Sequence, residues 1–152
     1  MKKFRSDWID REHVYREITA PDEKCPHYRM EPRRIIVCLC GSTRFKDAWY
    51  EQTKRLTHEG FIVLGVGDLN PNKQDTNDPI EPELKAKLDA LHLDKIDLAD
   101  EVFVVSDESG YFGSSTTREI AHAIRGGKTI RWMFESAQER WNSIQGSSTQ
   151  NS

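Results

Sequence analysis

The chain has 152 residues, with 22 basic and 25 acidic side chains and a formal charge of −3. That length supports one core rather than two independent domains. The near-balanced charge gives no general field for holding nucleic acid, so no stable nucleic-acid partner is expected, although a free nucleotide needs only a local anion site. No signal-like or membrane-length apolar run occurs, and Lys2, Lys3, Arg5 and Asp7 interrupt the first residues. Cys25, Cys38 and Cys40 are odd in number, and their spacing does not make a zinc site. These features predict a reduced, cytoplasmic setting with no membrane partner, metal or cofactor.

In chain order, residues 1–33 form a head and connector, in which Trp8, Ile9, Val14, Tyr15 and Ile18 suggest a short packing helix and Pro21, Pro26 and Pro32 a linker. The head could also dock on a partner. An α/β body is expected over residues 34–145, and a polar, disordered tail over 146–152. The body opens with Ile35-Ile36-Val37-Cys38-Leu39-Cys40, a continuous apolar run of strand length, as expected for a strand covered on both faces. Phe45, Ala48, Trp49, Gln52 and Leu56 then recur at helical spacing, with Ser42 or Thr43 available as cap and Gly60 as stop. Phe61-Ile62-Val63-Leu64 is the next strand, and residues 67–79, with Pro71, Asn77 and Pro79, form a long loop.

From Pro82 to Leu98 the pattern places Leu84, Leu88, Leu91 and Leu98 on one helical face, with Asp94 at its margin and Asp89 and Asp97 facing more nearly outward. Val102-Phe103-Val104-Val105 is a third strand. A helix follows from near Ser115 or Thr116 to Gly126-Gly127, then a strand over Thr129-Ile130-Arg131-Trp132-Met133 and a last helix over 135–144. Alternating units of this kind predict a single open, Rossmann-like, mostly parallel sheet of four or five strands with helices on both faces.

In such sheets small ligands bind beyond the carboxyl ends of the strands. Two strand-end loops qualify: Gly41-Ser42-Thr43-Arg44 after the first strand and Gly113-Ser114-Ser115-Thr116 after the third. If those strands are neighbours, hydroxyls, backbone N–H groups and Arg44 converge with Glu119 across one crevice. Neither loop is a Walker A sequence or a Gly-x-Gly-x-x-Gly fingerprint. Glu119 has two readings. Thr116-Thr117-Arg118-Glu119 fits a capping box, with Glu119 reaching back to the cap N–H; alternatively, a carboxylate held ionised at a helix start is suited to nucleophilic attack. Arg44 is likewise either a solvated helix residue or a phosphate clamp.

Residues 35–133 resemble the nucleoside 2-deoxyribosyltransferase superfamily, nearest to its nucleoside 5'-monophosphate N-glycosidase branch and poorly characterised relatives. The resemblance rests on Val37-Cys38-Leu39-Cys40-Gly41-Ser42-Thr43-Arg44, on Leu91-His92-Leu93-Asp94-Lys95-Ile96-Asp97-Leu98-Ala99-Asp100, and on Gly113 through Glu119-Ile120-Ala121-His122-Ala123. It implies that Glu119 is the nucleophile, that Asp94 lies beside the sugar and base, and that Arg44 lies near the phosphate. Two positions depart from the family pattern. Cys38 stands where relatives often carry an aromatic residue near the glutamate, and Gly41-Ser42-Thr43 replaces a Gly-Pro-containing turn. Cys38 reads as a small buried filler or as a thiol touching the carboxylate.

The expected reaction is hydrolysis of the N-glycosidic bond of a nucleoside 5'-monophosphate, with Glu119 and Asp94 catalytic and Gly41, Ser42, Thr43, Arg44, Gly113, Ser114 and Ser115 binding substrate. Deoxyribosyl transfer between nucleosides and non-catalytic nucleotide binding are the alternatives. The resemblance also implies a homodimer or higher homo-oligomer, for which Trp8, Ile9, Val14, Trp49, Trp132 and Trp141 supply apolar candidates.

Overall fold

The computed structural model describes residues 33–67 and 81–148, with side chains up to 146. Most of the expected head, the loop after Gly67 and residues 149–152 of the tail lie outside the described residues. The elements run β1 (Ile36–Gly41), α1 (Lys46–His58), β2 (Ile62–Leu64), α2 (Pro82–Leu98), β3 (Glu101–Val105), α3 (Ser114–Arg125), β4 (Thr129–Trp132) and α4 (Glu135–Ser148). The fold is α/β, with four parallel strands in the order β2-β1-β3-β4.

The apolar run of β1 reflects burial on both faces. Val37 and Leu39 point to one side, where Trp49 and Leu56 of α1 join Phe103 and Val105 in a core cluster. Cys38 and Cys40 point to the other, against Ile96 of α2, Ile120 and Ala123 of α3, and Ala137 and Trp141 of α4. The connection therefore changes sheet face between α1 and α2, and the strand order reverses between β1 and β3. In an open parallel sheet that reversal opens a crevice at the carboxyl ends of the two strands. The register pairs Cys40 with Val104 and Gly41 with Val105, so the two strand-end loops leave the sheet side by side.

Polar residues tie the sheet together at its opposite end. Asp100 accepts the Ile36 N–H at 2.9 Å and pairs with Arg33, joining the entrance of β3 to that of β1. Arg131 of β4 donates through Nε and Nη2 to the buried Glu101 of β3, at 2.5 and 3.1 Å. Asp100 thus has a structural part in the Ala99-Asp100 motif.

Four expectations change. No side chain caps α1: the chain turns at Ser42, whose carbonyl accepts the Phe45 N–H, and the helix begins at Lys46 after Phe45. The leucine stripe of α2 is not its core face. Leu84, Leu91 and Leu98 are 48%, 48% and 69% exposed and Leu88 is half-buried, whereas His92 and Ile96 are buried. Leu84, Leu91 and Leu98 repeat every seven residues, but a periodic stripe does not specify which of two adjacent faces meets the sheet. Trp49 and Trp141 are buried core residues, not interface residues, and Trp132 is half-buried against the core. Finally, α4 continues to Ser148, into the segment read as tail.

Candidate active site

The crevice is built from three directions. From β1, Gly41 leaves the strand so close to β3 that a Cβ on it would lie 2.4 Å from the Val105 carbonyl oxygen, so glycine is required there for strand packing. Ser42 uses its carbonyl to accept the Trp49 Nε1–H at 3.1 Å, and its hydroxyl is 3.5 Å from the Arg44 N–H. Arg44 reaches across the strand order to the β3 loop. Its Nη2 donates to Tyr111 Oη at 3.3 Å, and its guanidinium lies 4.3 Å from the Tyr111 ring centroid. Arg140 of α4 approaches the same ring, at 5.3 Å.

From β3, the chain turns through Asp107, which accepts N–H groups from Ser109 and Tyr111, and through Gly110, whose φ of +73° and close approach to Ser136 and Ala137 exclude a side chain. The hydroxyl hydrogen bond from Ser109 holds the Asp107 carboxyl below the usual aspartate range. The extended Gly113 then starts α3 at Ser114, and no side chain caps that end. Its N–H groups are the ordinary orphan donors of a helix start. Ser114 is exposed, and Ser115 Oγ is 3.4 Å from Arg118 Nη2.

Glu119 therefore lies in the second turn of α3, not the first, and the capping box is not formed. Instead its side chain turns inward and is only 13% exposed. Oε2 is buried without a hydrogen-bond partner among the described residues. Burial raises the carboxyl to about 7 against the pull of the Cys40 thiol hydrogen bond; the Asp89 charge adds to the rise, while Arg118 and Lys85 oppose it. The helix start does not hold this carboxyl ionised: loss of hydration outweighs a dipole field that fades within the first turn.

The groups around Glu119 are not those expected. Asp94 is exposed, on the face of α2 opposite the buried His92 and Ile96, and the structure does not bring it to Glu119. The α2 carboxylate whose charge reaches Glu119 is Asp89, three residues before His92. Asp89 also pairs with Lys85 at 2.6 Å and with Arg118 at 3.4 Å. His92 Nε2 lies 3.9 Å from Glu119 Oε2 and 3.5 Å from Cys40 Sγ. Burial, with the Lys95 charge, lowers His92 to about 4, so the imidazole is neutral at pH 7 and its approach to Glu119 is not an ion pair.

Cys40, rather than Cys38, is the thiol that acts on the carboxyl, and burial pushes it well above the ordinary thiol range. The two sulfurs share a sheet face because residues two apart in a strand do. Cys38, Cys40 and His92 present ligand atoms all within 4.8 Å of one another, a grouping that cysteine spacing alone did not show. The sequence signal for His92 was its position between Asp89 and Ile96, at i, i+3 and i+7, but the louder leucine stripe obscured it.

No family model matches the chain, and neither a curated protein nor a solved structure matches it significantly.

Proposed function

We propose that the chain hydrolyses the N-glycosidic bond of a nucleoside 5'-monophosphate, with Glu119 as nucleophile. The observation that carries this reading is the inward-facing Glu119 carboxyl, with Oε2 unpartnered, on the helix that follows β3 at the strand-order reversal. Structural carboxylates are normally satisfied by partners, and a desolvated one that titrates near neutrality is suited to chemistry. The resemblance to the N-glycosidase branch supplies the substrate class.

In this mechanism a Glu119 oxygen attacks the anomeric carbon as the bond from that carbon to the base nitrogen breaks through an oxocarbenium-like state. The departing base takes up a proton from solvent, which the attacking water of the next step returns. Water then attacks the glycosyl ester, releasing the sugar phosphate and restoring the carboxylate. Arg44 and the uncapped start of α3, with Gly113, Ser114 and Ser115, hold the 5'-phosphate. Asp94, exposed on the outer face of α2, is given no step in this mechanism. If a second base replaces water, the same intermediate gives deoxyribosyl transfer. Self-association belongs to the same proposal. Among the described residues its apolar surface is Leu84, Leu91 and Leu98 on α2, while Trp49 and Trp141 lie in the core.

The test is release of free base from a panel of ribo- and deoxyribonucleoside monophosphates by wild type and by Glu119→Gln. Cleavage by the wild type, reduced at least a hundredfold in a folded Glu119→Gln variant, is expected. Saturable nucleotide binding without base release would instead identify a binding protein, and equal turnover by the two proteins would remove Glu119 from the chemistry.

A further inference from the structure

The cluster beneath the crevice poses a problem that glycosidic chemistry does not solve. Cys38, Cys40 and His92 are buried in an otherwise apolar layer with Ile96, Val102, Val104 and Ile120. Glu119 Oε2 is buried there without a hydrogen-bond partner among the described residues. Small apolar side chains would fill this space without leaving orphaned polar atoms, which are costly in a core.

The donors instead suit a thiophilic cation. Bonds of about 2.3 Å to sulfur and 2.0–2.1 Å to nitrogen at a tetrahedral angle separate a sulfur from a nitrogen ligand by about 3.5 Å. Cys40 Sγ and His92 Nε2 are already 3.5 Å apart. All three ligand atoms lie within 4.8 Å of one another, and Glu119 Oε2 is 3.9 Å from the imidazole, where closure of about half an ångström reaches tetrahedral spacing. Two thiolates and an imidazole select zinc-like ions over magnesium or calcium, which prefer oxygen. The parts come from rigid elements: β1 is the inner strand that supplies both sulfurs, and α2 and α3 pack on the face to which those sulfurs point.

We propose that Cys38, Cys40 and His92, with the Glu119 carboxylate in the fourth position, form a binding site for one Zn2+ ion. On binding, each thiol, and the Glu119 carboxyl where it is protonated, releases its proton to solvent, and each sulfur forms one bond to the metal. The site does not depend on glycosidic cleavage. An ion held there occupies Glu119, so metal binding and nucleophilic attack exclude one another.

The full chain, reduced and stripped with chelator, is titrated with Co2+ as a spectroscopic probe and then with Zn2+. A thiolate-to-cobalt charge-transfer band with tetrahedral d–d absorption, saturating at one ion per chain and displaced by Zn2+, is expected. Cys25→Ala retains it, whereas Cys38→Ala and Cys40→Ala each lose most of the band and weaken Zn2+ at least a hundredfold; His92→Gln weakens it at least tenfold. Zinc X-ray absorption on the wild type needs no variant and should show two sulfurs in the first shell. A shell of nitrogen and oxygen only, no saturable binding, or a band that survives in the Cys38→Ala, Cys40→Ala double variant would overturn the site. Base release is assayed separately with chelator present, so loss of either result leaves the other standing.

Discussion

Replacing Glu119 by glutamine should stabilise the metal-free protein, by an amount that depends on pH. In the folded chain the carboxyl titrates at about 7, against an ordinary value of 4.5, chiefly because burial strips its hydration. Below about pH 4.5 it is protonated in both the folded and unfolded states and incurs no ionisation cost. Between 4.5 and 7 the folded state binds the proton more tightly than the unfolded chain, so stability falls as pH rises through that window and levels off above it. At roughly 1.4 kcal/mol per pH unit, the interval corresponds to about 3 kcal/mol. Glutamine has nearly the same shape and never ionises. Urea unfolding of both proteins from pH 4 to pH 9, with chelator present, should therefore show little difference at pH 4. The advantage of Glu119→Gln should grow through neutrality to about 3 kcal/mol at pH 8 and above. Parallel stability profiles, or a variant that loses stability on going from pH 5 to pH 8 as steeply as wild type, would refute the reasoning. A catalytic variant more stable than its parent is the signature of a site whose function opposes folding.

Arg44→Ala should reduce cleavage of the 5'-monophosphate at least tenfold while leaving the unphosphorylated nucleoside nearly unchanged, as read from kcat/KM on the two substrates. Asp89→Asn removes a charge that raises Glu119 and should move the acid limb of the pH–rate profile downward, a direction that parallel assays from pH 5 to pH 8 would register. Gly41→Ala forces a Cβ to within 2.4 Å of the Val105 carbonyl and should destabilise by about 1–3 kcal/mol in thermal or urea unfolding. Changing Leu91 and Leu98 together to glutamate should reduce the sedimentation mass if α2 is the self-association surface; they are 48% and 69% exposed, so monomer stability should change by less than about 1 kcal/mol.

The fold was legible in sequence because its signals are local. Apolar runs such as Val37 through Cys40 could satisfy burial on both sides only as inner strands, and helical spacing between them left a parallel sheet as the consistent arrangement. The position of Glu119 after the third strand followed from the same reasoning. Its environment did not. Whether α3 starts from a cap at Thr116 or from Gly113 decides whether Glu119 falls at the capping position or in the second turn facing the core, and helix starts are poorly marked when no side-chain cap is present. On α2, seven-residue leucine spacing is a stronger sequence pattern than a histidine between an aspartate and an isoleucine. Yet the sheet takes the histidine face and leaves Leu91 and Leu98 outside. Contact between Cys40 and His92 spans 52 residues and depends on β1 lying beside β3 with α2 packed across the face that holds both sulfurs. Sequence determined the strands, the helices and the presence of a carboxylate at the end of the sheet. Tertiary packing decided which groups share its burial, because desolvation and ligand geometry depend on distances between segments that periodicity does not encode.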